Sequence, residues 1–272
     1  MELTWQAYAI VCPLVFLAGL IDSIAGGGGL ISLPAYYLAG LDPSLAAGTN
    51  KLSAGLGTMA SSTRFITGKK VDWRVGLIAA AGAFPGSWLG ALLLKQIPDE
   101  TVRMLMIAAI PLVACVVLRR RDGLDARRLV PESVTMPVSL AIGLAIGFYD
   151  GLVGPGTGTF LILCFTMLLG MEGVLASGTA KIVNLTSNIS ALINLASSGD
   201  VLIALGLPAA LCGMAGNWLG ASLTIKRGTG FIRGVLLVVL SLLLAKMVYD
   251  VATGVTAPAA EMTELLATPT SL

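Results

Sequence analysis

Eight long apolar runs follow one another along the chain and restrict it to a fold that lies in a membrane. A helix needs about 20 apolar residues to cross the hydrocarbon core. The mean hydropathy of +0.89, with only 12% charged residues, is far above the balance of a soluble domain. We predict an all-α polytopic membrane protein with at least eight spanning helices. The apolar runs lie at 5–20, 52–66, 75–94, 102–118, 134–149, 182–196, 201–223 and 234–248.

Side chains that carry metal or nucleophilic chemistry are scarce. The 272 residues include no histidine, which removes the commonest metal ligand and the commonest general base. The four cysteines are dispersed through apolar segments, without the spacing of a metal site or a redox pair. The glycine run near the N-terminus lacks the Lys-Ser/Thr pair of a phosphate-binding loop. We therefore predict no enzymatic activity, no metal, no cofactor, no direct use of ATP and no nucleic-acid partner.

The second half of the chain repeats the first. "GTNK" at 48–51 returns 130 positions later as "GTAK", and "GSWLGALL" at 86–93 returns at the same shift as "GNWLGASL". Small residues of this kind let helices approach closely, so we expect Trp88 and Trp218 to pack between helices. A lysine and a tryptophan repeated in the same order indicate a duplicated membrane unit.

Each half contains a glycine-rich break after its first apolar run. "GLIDSIAGGGG" at 19–29 matches "GFYDGLVGPGT" at 147–157, a shift of 128 that pairs Asp22 with Asp150. The apolar element after each break is too short for a full crossing, and we predict a half-helix or a steeply placed short helix there. These short elements lie at 30–38 and 159–169.

The positive charges indicate that the second half is inverted in the membrane. Five arginines between 119 and 128 mark the loop between the halves as cytoplasmic. The basic stretch "TGKKVDWR" has "SSGDV", which lacks a basic residue, at the equivalent place in the other half. We predict two inverted repeats of about five membrane elements each, with both termini outside. The predicted segments are a first repeat at 1–118, a cytoplasmic basic loop at 119–133, a second repeat at 134–250 and a disordered exterior tail at 251–272.

Inverted repeats with broken helices are typical of transporters, whose substrate site lies near the midplane between the halves. Glycine lets a ligand approach the main chain, and amides at the start of a short helix form an anion site. We predict charge and coupling roles for Asp22 and Asp150. The predicted substrate-binding residues are Gly26, Gly27, Gly28, Gly29, Thr49, Asn50, Lys51, Gly154, Gly156, Thr157, Gly158, Thr179, Lys181 and Asn184.

Two interpretations of the lysines stay open at this stage. In the first, Lys51 and Lys181 attract an anion to the midplane. In the second, each lysine neutralises the aspartate of its own half, Lys51 with Asp22 and Lys181 with Asp150, because a lone charge within a span is costly.

The other polar residues have two interpretations as well. Thr49 and Thr179 either cap a helix start or bind the ligand. Asn184, Ser187 and Asn188 fall close to one helix face and either bond neighbouring helices or line a cavity.

These motifs together resemble the TauE/SafE family of sulfite exporters, also called the toluene-sulfonate uptake permease family. The resemblance covers about residues 8–250 and rests on the two breaks, on "AAGTNKL" and "ASGTAKIVN", and on the two "G-x-W-L-G" elements. One departure is the replacement of Gly27 and Gly29 by Pro155 and Thr157 in the second copy. The motif positions that match the family are Asp22, Gly26, Gly28, Thr49, Lys51, Asp150, Gly154, Gly156, Thr179, Lys181 and Asn184.

The resemblance implies a bacterial cytoplasmic-membrane transporter that moves small sulfur-containing anions and is driven by ion gradients. We predict a secondary transporter, an exporter of sulfite, thiosulfate or an organosulfonate, with the lipid bilayer and the anion as its partners. The alternatives are transport of a carboxylate or a metal cation, and an intramembrane enzyme acting on a lipid phosphate. The sequence leaves open whether the protein is a monomer or a homodimer.

Overall fold

A computed structural model describes residues 5–98, 101, 129–232, 234–235 and 238, and this part of the chain contains helices and no strand. The predicted all-α membrane fold is confirmed. The apolar runs at 102–118 and 234–248, and the tail at 251–272, lie wholly or almost wholly outside the described residues. The helices are α1 (Trp5–Ala25), α2 (Gly29–Leu38), α3 (Pro43–Thr67), α4 (Trp73–Leu94), α5 (Thr135–Leu152), α6 (Thr157–Met167), α7 (Gly173–Ala196) and α8 (Ile203–Arg227), with a 3-10 turn at Glu132–Val134.

Both glycine-rich breaks end a long helix and begin a short one. At the first break, Gly26 has φ +82°; at the second, Gly154 and Gly156 have φ +90° and +83°. Residues with a side chain seldom adopt this left-handed conformation, so glycine supplies it at low cost. The helices that follow, α2 and α6, have 10 and 11 residues. At about 1.5 Å per residue they reach roughly half-way across a hydrocarbon core.

The remaining helices divide into an apolar group and a polar pair. In the described part of the chain, four segments are long and apolar enough to span a membrane: Trp5–Ala25, Trp73–Leu94, Glu132–Leu152 and Ile203–Arg227. The predicted runs at 52–66 and 182–196 lie within α3 and α7, which are 25 and 24 residues long but carry many buried polar side chains. Such helices are stable in a membrane when other helices surround them.

The helices of the two halves pack against each other in matching pairs. Helix α1 lies along α8, and α5 lies along α4. The first helix of each half therefore packs against the fourth helix of the other half. Helix α3 also packs on α8, α7 packs on α4, and α3 and α7 touch each other. The same set of contacts results when each helix is replaced by the equivalent helix of the other half. The inversion of the second half in the membrane stays a prediction.

The repeated "G-x-W-L-G" elements pack through their glycines, whereas Trp88 is half-buried and Trp218 is exposed. A Cβ at Gly86 or Gly90 would overlap the backbone of α5, and one at Gly216 would overlap the backbone of α1. Trp218 is 46% exposed and has the Arg64 guanidinium 5.9 Å from its ring. The expectation that this tryptophan packs between helices is therefore wrong. It faces outward, because the glycines occupy the face that meets the neighbouring helix.

Candidate functional site

The two breaks meet at the centre of the described structure. The Thr159 amide donates to the Gly26 carbonyl at 3.2 Å, and the Thr159 hydroxyl donates to the Ala25 carbonyl at 2.7 Å. A Cβ placed on Gly158 would lie 2.6 Å from Gly26 Cα. The contact is therefore backbone against backbone, and α1 ends where α6 begins. Unpaired carbonyls are costly in lipid, and Thr159 satisfies two of them.

Two buried ion pairs connect the halves around this contact. Lys51 Nζ on α3 lies 2.7 Å from Asp150 Oδ2 on α5, and Lys181 Nζ on α7 lies 2.5 Å from Asp22 Oδ2 on α1. The interpretation in which each lysine neutralises the aspartate of its own half is therefore wrong in its pairing. Each lysine neutralises the aspartate of the other half. The exchange follows from the packing, because α3 and α7 cross between the halves.

Asp150 sits in a dense set of donors. Its Oδ1 accepts a hydrogen bond from the Thr157 hydroxyl at 2.7 Å, and its Oδ2 accepts one from the Ser187 hydroxyl at 2.6 Å. Lys51 Nζ also donates to Asn188 Oδ1 at 3.1 Å. Charge-assisted bonds of this kind are stronger than neutral ones. They hold both members of the pair in one geometry.

Asp22 has fewer partners. Besides Lys181, it accepts a hydrogen bond from the Gly28 amide at 3.3 Å. The side chain of Asp22 is 15% exposed, compared with 3% for Asp150. The two aspartates, although they occupy equivalent repeat positions, have different surroundings.

A cavity lies between the two breaks and the polar faces of α3 and α7. The space in it that is open to the centre of a water molecule is about 50 Å³. Since one water needs roughly 10–15 Å³ of such space, the cavity has room for a few waters or one small ion. Of the predicted residues, those that line it are Asp22, Gly26, Gly28, Gly29, Asn50, Lys51, Asp150, Gly154, Gly156, Thr157, Gly158 and Asn184.

Several polar lining residues are absent from the predicted set. Asn188 belongs to the polar stripe of α7, and that stripe both lines the cavity and bonds neighbouring helices. Asn217 takes the place of Ser87 in the repeated tryptophan element, and this exchange is the signal that could have identified it. Ser32, Ser53 and Thr58 have no comparable signal in the sequence. They line the cavity only because α2 and α3 turn these faces inward.

Four predicted residues do not line the cavity. Gly27 lies behind the break, and Lys181 reaches the cavity only through Asp22. Thr49 Oγ1 accepts a hydrogen bond from the Leu202 amide, and Thr179 Oγ1 accepts one from the Asp72 amide, each at 2.9 Å. The two threonines therefore neither cap their own helices nor face a ligand. They hold the loop that precedes the fourth helix of the opposite half.

The glycine before each threonine completes this contact. A Cβ on Gly48 would overlap the Asp200 carbonyl, and a Cβ on Gly178 would overlap the Lys70 carbonyl. In each copy of the repeated "G-T-x-K" motif, the glycine admits the opposite loop, the threonine bonds it, and the lysine pairs with the opposite aspartate. The whole motif joins the two halves.

Replacing Thr49 with valine should destabilise the protein by about 1–2 kcal/mol, because a partly buried amide at Leu202 loses its acceptor. Thermal unfolding in detergent measures the loss, and Thr49→Ser should restore most of it. Thr63→Val is the matched control, since that exposed hydroxyl bonds only the Met59 carbonyl of its own helix. An equal loss in both variants would contradict the proposed role of Thr49.

The predicted amide cradle is smaller than four glycines suggest. At the start of α2, the Leu30 amide bonds the Gly27 carbonyl, and the amides of Ile31 and Ser32 bond the Gly28 carbonyl. At the start of α6, the amides of Thr157, Thr159 and Phe160 donate to the carbonyls of Gly154, Gly26 and Gly156, respectively. Within these turns the amides of Gly29 and Gly158 have no backbone partner. They lie beside Pro155 and Gly26, where the two breaks meet.

Asn50 adds an unpaired polar group to the cavity lining. Its side chain is 7% exposed, and its Oδ1 makes no hydrogen bond with any described group. A buried polar atom without a partner costs free energy. Because this oxygen is an acceptor, a small molecule in the cavity that carries an N–H or O–H group can donate a hydrogen bond to it.

Comparisons with known proteins agree with this architecture. The family model "Sulfite exporter TauE/SafE" matches residues 11–247. "Probable membrane transporter protein YfcA" of Escherichia coli strain K12 is 34% identical over 259 residues, which cover 91% of this chain and 94% of that protein. "Probable membrane transporter protein" of Haemophilus influenzae is 33% identical over 253 residues, with 92% and 98% covered.

A more distant relative is "Probable membrane transporter protein YunE" of Bacillus subtilis, 25% identical over 275 residues, with 90% of this chain and 98% of that protein covered. No solved structure matches the chain at a significant level. The family resemblance seen in the motifs is confirmed over nearly the whole length. The chain belongs to the sulfite exporter TauE/SafE family of membrane transporters and is a multi-pass protein of the bacterial inner membrane.

Proposed function

We propose that this protein is a secondary transporter, and not an enzyme, that exports a small sulfur-containing anion such as sulfite, thiosulfate or an organosulfonate. Two inverted halves would alternate access to one central site and would couple the movement to an ion gradient. The observation that carries the proposal is the cavity between the breaks, which is bordered by two lysine–aspartate pairs that connect the halves.

The polar groups of the cavity are suited to a small oxyanion. Lys51 supplies a positive charge, and the Asn188 side-chain amide, the hydroxyls and the backbone amides of Gly29 and Gly158 supply hydrogen bonds. The size of the cavity favours an anion of a few heavy atoms.

The two alternatives differ in what they would bind. A carboxylate transporter would use the same lysine, so competition separates it: sulfite or methanesulfonate should raise the unfolding temperature of purified protein more than acetate or a divalent metal does. A lipid-phosphate enzyme would release phosphate from a lipid pyrophosphate. The proposal contains no such step, because both charged pairs connect the two halves and neither is arranged to attack a bond.

The decisive experiment measures flux of a panel of sulfur anions into proteoliposomes. Lys51→Ala alone leaves Asp150 buried and unpaired, so the test variant is the double replacement Lys51→Gln with Asp150→Asn. We expect it to fold and to lose transport by about 10-fold or more, the value of one charged hydrogen bond. Lys226→Ala, an exposed lysine near the end of α8, is the matched control. Normal transport by the double variant would overturn the anion site.

A further inference from the structure

The duplication allows the two ion pairs to be compared as if one were a variant of the other. The hydroxyls that hold Asp150 belong to Thr157 and Ser187. The repeat places Gly29 and Gly57 at the equivalent positions around Asp22, and glycine has no side chain to donate a hydrogen bond. The first half therefore has no equivalent of the two hydroxyl groups that donate to Asp150.

The lysines differ in the same direction. Lys51 is shared between Asp150 and Asn188, whereas the structure gives Lys181 one side-chain acceptor among the described residues, Asp22. Asp22 itself lines the cavity and is the more exposed of the two aspartates. The pair of Asp150 and Lys51 is thus fixed on both sides, and the pair of Asp22 and Lys181 is held by little more than its own contact.

An anion in the cavity acts on these two aspartates unequally. Bound near Lys51, it brings a negative charge close to both carboxylates, and like charges favour protonation of one of them. Asp150 has three donors that stabilise its negative charge, and Asp22 has two, so the negative charge of Asp22 has less support. The other charged groups that line this space are Lys51 on α3 and Asp150 on α5, and Lys181 on α7 contacts Asp22 from outside the lining.

The remaining elements around Asp22 contribute neutral groups. Among the described residues, the cavity lining from α2, α6 and α8 consists of glycines and of the side chains of Ser32, Thr157 and Asn217. These groups donate or accept hydrogen bonds but do not titrate between pH 5 and 8. Asp22 and Asp150 are therefore the acidic groups of the cavity lining among the described residues.

We infer, on the basis of the proposed function, that a monovalent anion and one proton bind and cross the membrane together, with the proton carried by Asp22. The step converts the Asp22 carboxylate to a carboxylic acid and breaks no other bond. The empty site, with two lysines and two aspartates, is neutral, and the loaded site is neutral as well. A net charge within a membrane is costly, so this coupling keeps both states able to change their access.

Binding linkage gives the sign of the effect. If the anion favours the protonated form of Asp22, protonation favours anion binding by the same factor. Proton and anion then move in the same direction, and the protein is a symporter and not an antiporter. Export under this scheme requires an outward anion gradient that exceeds the inward proton gradient.

The test uses the full-length protein in liposomes that contain a pH-sensitive dye, with methanesulfonate as the probe because it stays monovalent. Under an imposed anion gradient, we expect one proton to follow each anion in the same direction, without a change of membrane potential. Proton movement against the anion, or anion flux without proton movement, overturns the inference. Absence of flux for every sulfur anion in the panel overturns the proposed function and this inference with it.

Two variants assign the proton to one aspartate. In Asp22→Asn, the ratio of protons to anions should fall from about one to near zero in whatever flux remains, because the acceptor is gone. In the double variant Lys51→Gln with Asp150→Asn, which keeps the empty site neutral, the ratio in the remaining flux should stay near one. Equal ratios in the two variants overturn the assignment to Asp22. The ratio measured in the unaltered protein tests the coupling even if a variant fails to fold.

Discussion

Replacing Gly26 with alanine is expected to prevent the two halves from docking and to remove the folded protein from the membrane. Gly26 has φ +82°, and a Cβ there would overlap the backbone of Gly158 and Thr159. The left-handed conformation alone costs about 1–2 kcal/mol with a side chain present. The overlap adds more, because the atoms in the way belong to a main chain that also carries the Thr159 hydrogen bonds. The total should exceed about 4 kcal/mol, the range of the most damaging substitutions.

Gly40 provides a matched control for this prediction. It has φ +84°, nearly the same as Gly26, but no atom lies within 4 Å of the position of its Cβ. Gly40→Ala should therefore lose only the conformational part, about 1–2 kcal/mol, and should stay monodisperse in detergent. The measurement is thermal unfolding together with gel filtration of both variants. Similar losses for Gly26→Ala and Gly40→Ala would mean that the breaks do not pack as described.

The positions of the helices could be predicted because they depend on local features. Apolar runs, glycine breaks and the repeat predict α1, α2, α5 and α6 to within a few residues. The thickness of a bilayer and the backbone conformations open to glycine leave few alternatives. The side to which Trp88 and Trp218 point could not be predicted in this way. A motif of small residues indicates close packing, but it does not say whether the glycines or the tryptophan face the partner helix.

The partners of the charged residues depend on how the halves are arranged and not on sequence distance. The repeat shows that Asp22 is equivalent to Asp150 and Lys51 to Lys181, but an exchange of the two aspartates leaves that equivalence intact. Both pairings therefore satisfy the sequence equally well. Only the crossing of α3 and α7 selects the partner in the opposite half. The roles of Thr49 and Thr179 could not be predicted for the same reason, since the amides that donate to their hydroxyl oxygens lie 153 and 107 residues away in the chain.

Double-mutant cycles on stability should show strong coupling between Lys51 and Asp150. Removing either charge alone leaves the other buried without a counter-charge, which costs about 3–5 kcal/mol. Removing both, as Lys51→Gln with Asp150→Asn, removes that penalty, so the double variant should lose much less than the sum of the two single losses. The expected coupling is about 2–3 kcal/mol, measured from the unfolding free energies of four proteins in detergent.

The cycle between Lys51 and Asp22 is the matched comparison. These residues lie in the same half, and the structure gives them no direct contact. Replacing both leaves Asp150 and Lys181 each without its partner, so the two losses should add, with a coupling below about 1 kcal/mol. A larger coupling within a half than between halves would overturn the crossed pairing. The same crossing also explains how one bound ion can act on both halves at once. An anion that changes the charge of Asp22 changes the contact of α1 with α7, and this contact joins the two units that must move relative to each other.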